Sequence, residues 1–168
     1  YILLSNSMYK IKNKISLYLI LIFSIFAIIS AYFIQYVLGH KPCNLCLIER
    51  IPFIISIIII SLFLFYKKYE KNLLISLSII FFVLSLLSIY HFGIEQGFIK
   101  ESLVCELDVN IENLSKENVL NQLNKMPISC KDVTFKIVGL SLATINIFTS
   151  LILSLITLRL FLNYEKNK

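Results

Sequence analysis

The chain's 168 residues are 58% hydrophobic, with a mean hydropathy of +0.82. An ordinary soluble domain is about 45–50% apolar, so a soluble globular enzyme is excluded and an integral membrane protein is indicated. The net charge of +6 does not point to nucleic acid, because the basic residues flank the apolar runs and form no single patch.

Met8, just before Lys10, Lys12 and Lys14, is the expected start of translation, and residues 1–7 carry no signal. The first apolar run, 15–38, is too long for a signal-peptide core and lacks a small-residue cleavage site, so it reads as a retained membrane anchor. At roughly 1.5 Å per residue it spans a hydrocarbon layer about 30 Å thick. Ser24, Ala27, Ala31 and Gln35 recur on one face of it, which reads as a packing seam. Gln35 stands apart, because it lies at the outer end near a cysteine pair. His40, in the turn that follows, reads as a solvated interface residue.

Pro42-Cys43-Asn44-Leu45-Cys46 then opens the second run. A helix starting near Pro42 puts Cys43, Cys46 and Arg50 on one face, at i, i+3 and i+7. The helix start, Lys41 and Arg50 all favour a thiolate there. The second span is 47–66. Pro52 removes the backbone bond to the Ile48 carbonyl and is expected to loosen the helix beside Arg50. Glu49 and Arg50 point about 100° apart and need not pair. By itself Arg50 fits a snorkelling anchor as well as a functional cation; beside Cys-x-x-Cys the functional reading is preferred.

Residues 67–72 form a short basic loop. The third span, 73–92, carries Ser76, Ser78, Ser85 and Ser88 as packing or interhelical hydrogen-bonding positions. His91 falls at its outer end, level with the cysteine pair. The long polar segment 93–136 holds Cys105 and Cys130. Within it, Ser115 reads as the N-cap of a short helix over 116–126. Val119, Leu120, Leu123 and Met126 give that helix an apolar face suited to the membrane surface. The fourth span is 137–162, where Gly139, Ala143, Asn146 and Ser150 share one face, with Asn146 bonding across a tight seam.

The resulting fold class is an all-α membrane protein, one domain over 1–168. It is a four-transmembrane-helix bundle with outer loops 39–46 and 93–136, an inner loop 67–72, and a short surface helix in the long loop. Both termini and the basic clusters fall on one side, which the positive-inside rule makes the cytoplasm. All four cysteines fall on the other, oxidising side. Four cysteines allow three pairings; the spacing favours Cys43–Cys46 and Cys105–Cys130.

Disulfide exchange passes electrons by thiolate attack on a disulfide sulfur. A pair on a long loop can meet a soluble protein, whereas a pair at a helix end meets a lipid-dissolved acceptor. Electrons are therefore expected to enter at Cys105/Cys130, move to Cys43/Cys46 and leave to a membrane quinone. Arg50 would stabilise negative charge developing on the quinone oxygen. No motif for a nicotinamide, flavin or haem is present.

The combination of Pro42-Cys43-x-x-Cys46-x-x-Glu49-Arg50, Tyr90-His91 with Gly93-Ile94-Glu95-Gln96-Gly97, Cys105, Cys130 and Gly139-Leu140-Ser141 resembles the bacterial disulfide bond formation protein B (DsbB) family. The resemblance implies a quinone-dependent, protein-disulfide-generating oxidoreductase of the bacterial inner membrane, with ubiquinone or menaquinone as cofactor and a periplasmic DsbA-like thioredoxin-fold partner. It implies that the partner attacks Cys105, that the released Cys130 attacks Cys43, and that Cys46 is left as the thiolate facing the quinone. Arg50 would sit at the quinone, with His91 and Glu49 nearby. The competing readings are a four-cysteine metal site, disfavoured by the 25-position gap between Cys105 and Cys130, and a structural protein whose disulfides staple its loops. A vitamin K epoxide reductase-like enzyme would be expected to carry its quinone-side pair late in the chain.

Overall fold

The computed structural model describes residues 2–65, 70–100, 105, 129–131, 135–137 and 139–166. The long apolar runs form helices because in lipid every backbone N–H and C=O must find its partner within the segment. Among the described residues these are α1 (Ile2–Tyr36), α2 (Asn44–Ile48), α3 (Arg50–Phe65), α4 (Glu70–Glu95) and α5 (Leu142–Lys166). Four stretches are long and apolar enough to cross a bilayer: Lys14–Tyr36, Asn44–Leu64, Lys71–Glu95 and Leu142–Glu165. The four-helix membrane architecture expected from the sequence is the one found.

α4 is the central helix. Of its spanning residues 44% are buried, against 17% for α1. It packs chiefly on α5 and also on α3, and α1 packs on α3. Leu74, Leu77, Phe81 and Leu84 of α4 are fully buried between Leu17, Phe53, Ile60, Leu153 and Leu160. Ile25, Ile29 and Phe33 of α1 face outward, as a lipid-solvated surface requires. Since lipid drives helices together no better than leucine does, small and hydroxyl side chains supply the close contacts. Ser78 Oγ donates to the Ser154 carbonyl (3.3 Å), and Ser154 Oγ returns a bond to the Ser78 carbonyl (3.1 Å). Ser56 Oγ donates to Ser24 Oγ at 3.2 Å and joins α3 to α1.

Three local features shape the cysteine-bearing end. The second span is interrupted at Glu49, between α2 and α3. The cause is Pro52, which has no N–H to offer the Ile48 carbonyl and crowds it sterically. α4 ends in a Schellman motif: Gly97 takes φ 76, its N–H bonds the Ile94 carbonyl (3.0 Å), and the Phe98 N–H bonds the Gly93 carbonyl (2.9 Å). Ahead of α5 stands a small hairpin, β1 (Lys136–Ile137) and β2 (Leu140–Ser141), with Ile137 opposite Leu140. Gly139, at φ 83, closes its two-residue turn. The fourth helix thus begins at Leu142, later than 137, and Gly139 belongs to the turn instead of the helix face. Ser141 accepts from the Thr144 N–H at 3.2 Å and caps α5.

Cys105 and Cys130 form a disulfide, Cα to Cα 5.6 Å, while Cys43 and Cys46 are a free dithiol. The surface helix expected over 116–126 lies outside the described residues.

Candidate active site

Cys43 caps α2, its sulfur accepting from the Cys46 N–H at 3.3 Å. The two sulfurs are 2.7 Å apart and joined by a thiol hydrogen bond, so little movement separates the dithiol from its disulfide. Cys43 shares a packed cluster with Leu45, Ile94, Cys105 and Cys130. All four cysteines are therefore gathered at one end of the bundle, and the disulfide is packed into the cluster that holds the dithiol.

The two thiols face different surroundings. Cys46 lines a cavity of about 330 Å³ walled by α1, α3, α5 and the hairpin. The walls are mainly apolar, including Phe23, Phe26, Ala27, Phe53 and Ile145, with Gln35, Glu49, Arg50 and Asn146 as polar groups. That size and lining suit a small aromatic ligand. Arg50 is held at the wall by its Nη1 donating to Gln35 Oε1 at 2.6 Å, with its guanidinium carbon 5.1 Å from the Tyr32 ring centre. A second apolar hollow continues along α1 and α5 and shares Phe23 and Phe26 with the first.

Cys43 turns instead toward α4. Its sulfur is 3.5 Å from His91 Nε2, and His91 Nδ1 is 3.1 Å from Glu49 Oε1. Asn146 Nδ2 donates to the other Glu49 oxygen at 3.0 Å. The interruption at Glu49 lets that acid face inward while Arg50, one residue on, faces the cavity. Both His91 and Glu49 are buried. Glu95, one helical turn beyond His91, brings a second carboxylate oxygen to 3.7 Å from Nε2; its Oε2 has no hydrogen-bond partner among the described residues. The hydrogen bond it shares with Cys46 pulls the Cys43 thiol well below its usual value; burial opposes this, and His91 adds to the lowering.

The sequence reading named Cys43, Cys46, Cys105, Cys130, Arg50, His91 and Glu49, and the fold brings these seven to one end. His91 departs from the expected placement: it does not line the cavity but stands on the far side of the dithiol. Glu49 reaches both places, lining the cavity and holding His91. Sequence reasoning gave Glu95 no role, although its i, i+4 spacing from His91 was visible. It had Asn146 bonding across a helix seam, and the partner across that seam is Glu49. Cys43, Cys46 and His91 bring two sulfurs and one nitrogen within 4.8 Å of one another, one donor short of the four that a closed structural zinc site takes.

A family model for the disulfide bond formation protein DsbB matches residues 13–160. The chain belongs to the DsbB family. It is also 32% identical over 161 residues to an uncharacterised protein of Rickettsia prowazekii (strain Madrid E), covering 95% of this chain and 91% of that protein. No solved structure matches. DsbB membership makes this a multi-pass membrane oxidoreductase of disulfide-bond formation, in keeping with a dithiol and a disulfide packed into one cluster.

Proposed function

We propose that this DsbB-family protein re-oxidises a periplasmic DsbA-like thioredoxin-fold dithiol protein and passes the electron pair to a membrane quinone, ubiquinone or menaquinone. The observation that carries the reading is the division of the dithiol: Cys46 is at the wall of an apolar cavity, and Cys43 is in the cluster with Cys105 and Cys130. The chain lies in the bacterial inner membrane with its termini in the cytoplasm and its cysteines in the periplasm. Its basic clusters support that orientation.

The partner's thiolate attacks Cys105, Cys130 leaves, and the Cys130 thiolate attacks Cys43 of the closed Cys43–Cys46 disulfide. Cys46 is released as a thiolate at the cavity wall. The cavity residues fit a quinone head group: flat apolar walls, a fixed guanidinium, and an apolar hollow running on between α1 and α5 for an isoprenoid tail. When bound, the quinone supplies the two-electron acceptor. Arg50 binds and orients an oxygen of the head group, Gln35 keeps Arg50 in place, and Phe23, Phe26 and Phe53 exclude water.

The test is oxidation of a reduced thioredoxin-fold protein by the purified protein in lipid nanodiscs, with short-chain quinone reduction followed optically. Thiol loss and quinone loss are expected in equal amounts, and Cys43→Ser or Cys46→Ser should abolish both. Thiol oxidation with the quinone untouched sinks the reading.

A further inference from the structure

The proposed electron path leaves the buried His91 and Glu49, and Asn146 beside them, without a task. We propose that His91 is the base of the dithiol, taking the Cys43 thiol proton on Nε2 while Glu49, itself fixed by Asn146, holds the opposite ring nitrogen. The inference rests on the dithiol reading of the site and not on the identity of the electron acceptor.

The geometry orders the four groups into a chain. Asn146 Nδ2 donates to Glu49 Oε2 (3.0 Å), Glu49 Oε1 accepts a hydrogen bond from the His91 Nδ1–H (3.1 Å), and Nε2 is left facing Cys43 Sγ at 3.5 Å. With Nδ1–H committed to the carboxylate, the neutral ring has its lone pair on Nε2, the tautomer a base at Cys43 requires. His91 is 2% exposed and Glu49 6%, so a proton leaving Cys43 meets a protein group before it meets water. The step is a proton transfer only: the Cys43 S–H bond breaks, a His91 Nε2–H bond forms, and no electron changes hands. It leaves Cys43 as the thiolate, the form that attacks a disulfide.

The charged surroundings favour the product. Glu49 faces the ring from the α2–α3 break and Glu95 from α4 itself, its Oε1 3.7 Å from Nε2, and both carboxylates stabilise the imidazolium. Cys46 of α2 is the other titratable group at the sulfur. α5 and the hairpin contribute the uncharged Asn146 and Ser141. Arg50 is turned away toward Gln35 and Tyr32. Glu49 and Asn146 act through His91 as positioning residues.

The test uses the full chain in nanodiscs with neither quinone nor partner present. In a Cys46→Ala background with Cys105–Cys130 oxidised, Cys43 is the sole free thiol, and its alkylation rate is followed from about pH 4 to about pH 10, spanning the ordinary thiol range. Adding His91→Gln should move the midpoint of the rate–pH curve upward and slow alkylation at neutral pH on the order of tenfold. Glu49→Gln, which keeps the imidazole, should move it in the same direction by less. Superimposable curves for the Cys46→Ala parent and His91→Gln overturn the proposal. Should His91→Gln not elute as a folded protein with its disulfide intact, Glu49→Gln decides, and an unmoved curve there overturns it equally. Failure of the quinone assay leaves these curves untouched, so the two readings fall separately.

Discussion

Arg50 and Gln35, fifteen positions apart on different helices, meet at 2.6 Å at the wall of the cavity. An arginine at the first turn of α3, just past the helix break, would otherwise swing to the lipid headgroups. Gln35→Leu removes the acceptor without changing charge. A hydrogen bond to a charged group contributes about 1.5–3 kcal/mol, so the apparent KM for a short-chain quinone should rise roughly 10- to 100-fold at near-constant kcat. Steady-state quinone titration checks this; an unchanged KM removes Gln35 from the site.

Asn146→Ala leaves one buried oxygen of Glu49 without its donor. Leaving a buried acceptor unsatisfied costs about 1–3 kcal/mol, more when it is charged. Thermal unfolding in detergent should therefore begin several degrees lower, and Asn146→Asp should be worse because it sets two carboxylates together. A melting curve matching the parent for either variant contradicts the assigned bond.

The lowered Cys43 thiol sets a pH dependence. A group depressed in the folded protein is charged above its lowered value and loses that charge as pH falls through it. Stabilisation of the reduced, folded protein from this source is thus complete above the ordinary thiol value of about 8.5 and is lost on acidification. In the reduced protein Cys43 should be alkylated before Cys46 at mildly acidic pH, read by peptide mass. Preferential alkylation of Cys46 reverses the assignment.

Ser78 and Ser154 exchange hydroxyl-to-carbonyl bonds between α4 and α5. Hydrogen bonds between membrane helices average about 0.6 kcal/mol in double-mutant cycles. Ser78→Ala and Ser154→Ala should each destabilise modestly, and the double variant should show little coupling, because each hydroxyl bonds a carbonyl that alanine retains.

Gly97→Ala meets no steric obstacle, since nothing lies within 4 Å of an added Cβ. Its penalty is the positive φ of 76 alone, about 1 kcal/mol. A small loss of stability with unchanged dithiol chemistry is expected, measured by thermal unfolding and by the Cys43 alkylation rate.

Hydrophobic run lengths were enough to read off four membrane helices, because a bilayer demands about 20 apolar residues per crossing and allows few other backbone forms. The Cys-x-x-Cys spacing likewise announced the dithiol, and Pro52 announced a weakened turn, since both effects are local to the chain. The fourth helix starts five residues later than the apolar run suggests: a β-branched, apolar stretch such as 137–141 has no period long enough to tell a helix from a hairpin. What each thiol faces was invisible, because it depends on side chains brought together from four separate helices. His91 shares a level with both the cavity and the dithiol, but helix rotation decides which it touches, and packing against α5 turns it to Cys43. Glu49 and Arg50 are neighbours in the chain and both line the cavity, yet the break at Glu49 points one inward to Asn146 and His91 and the other toward Gln35.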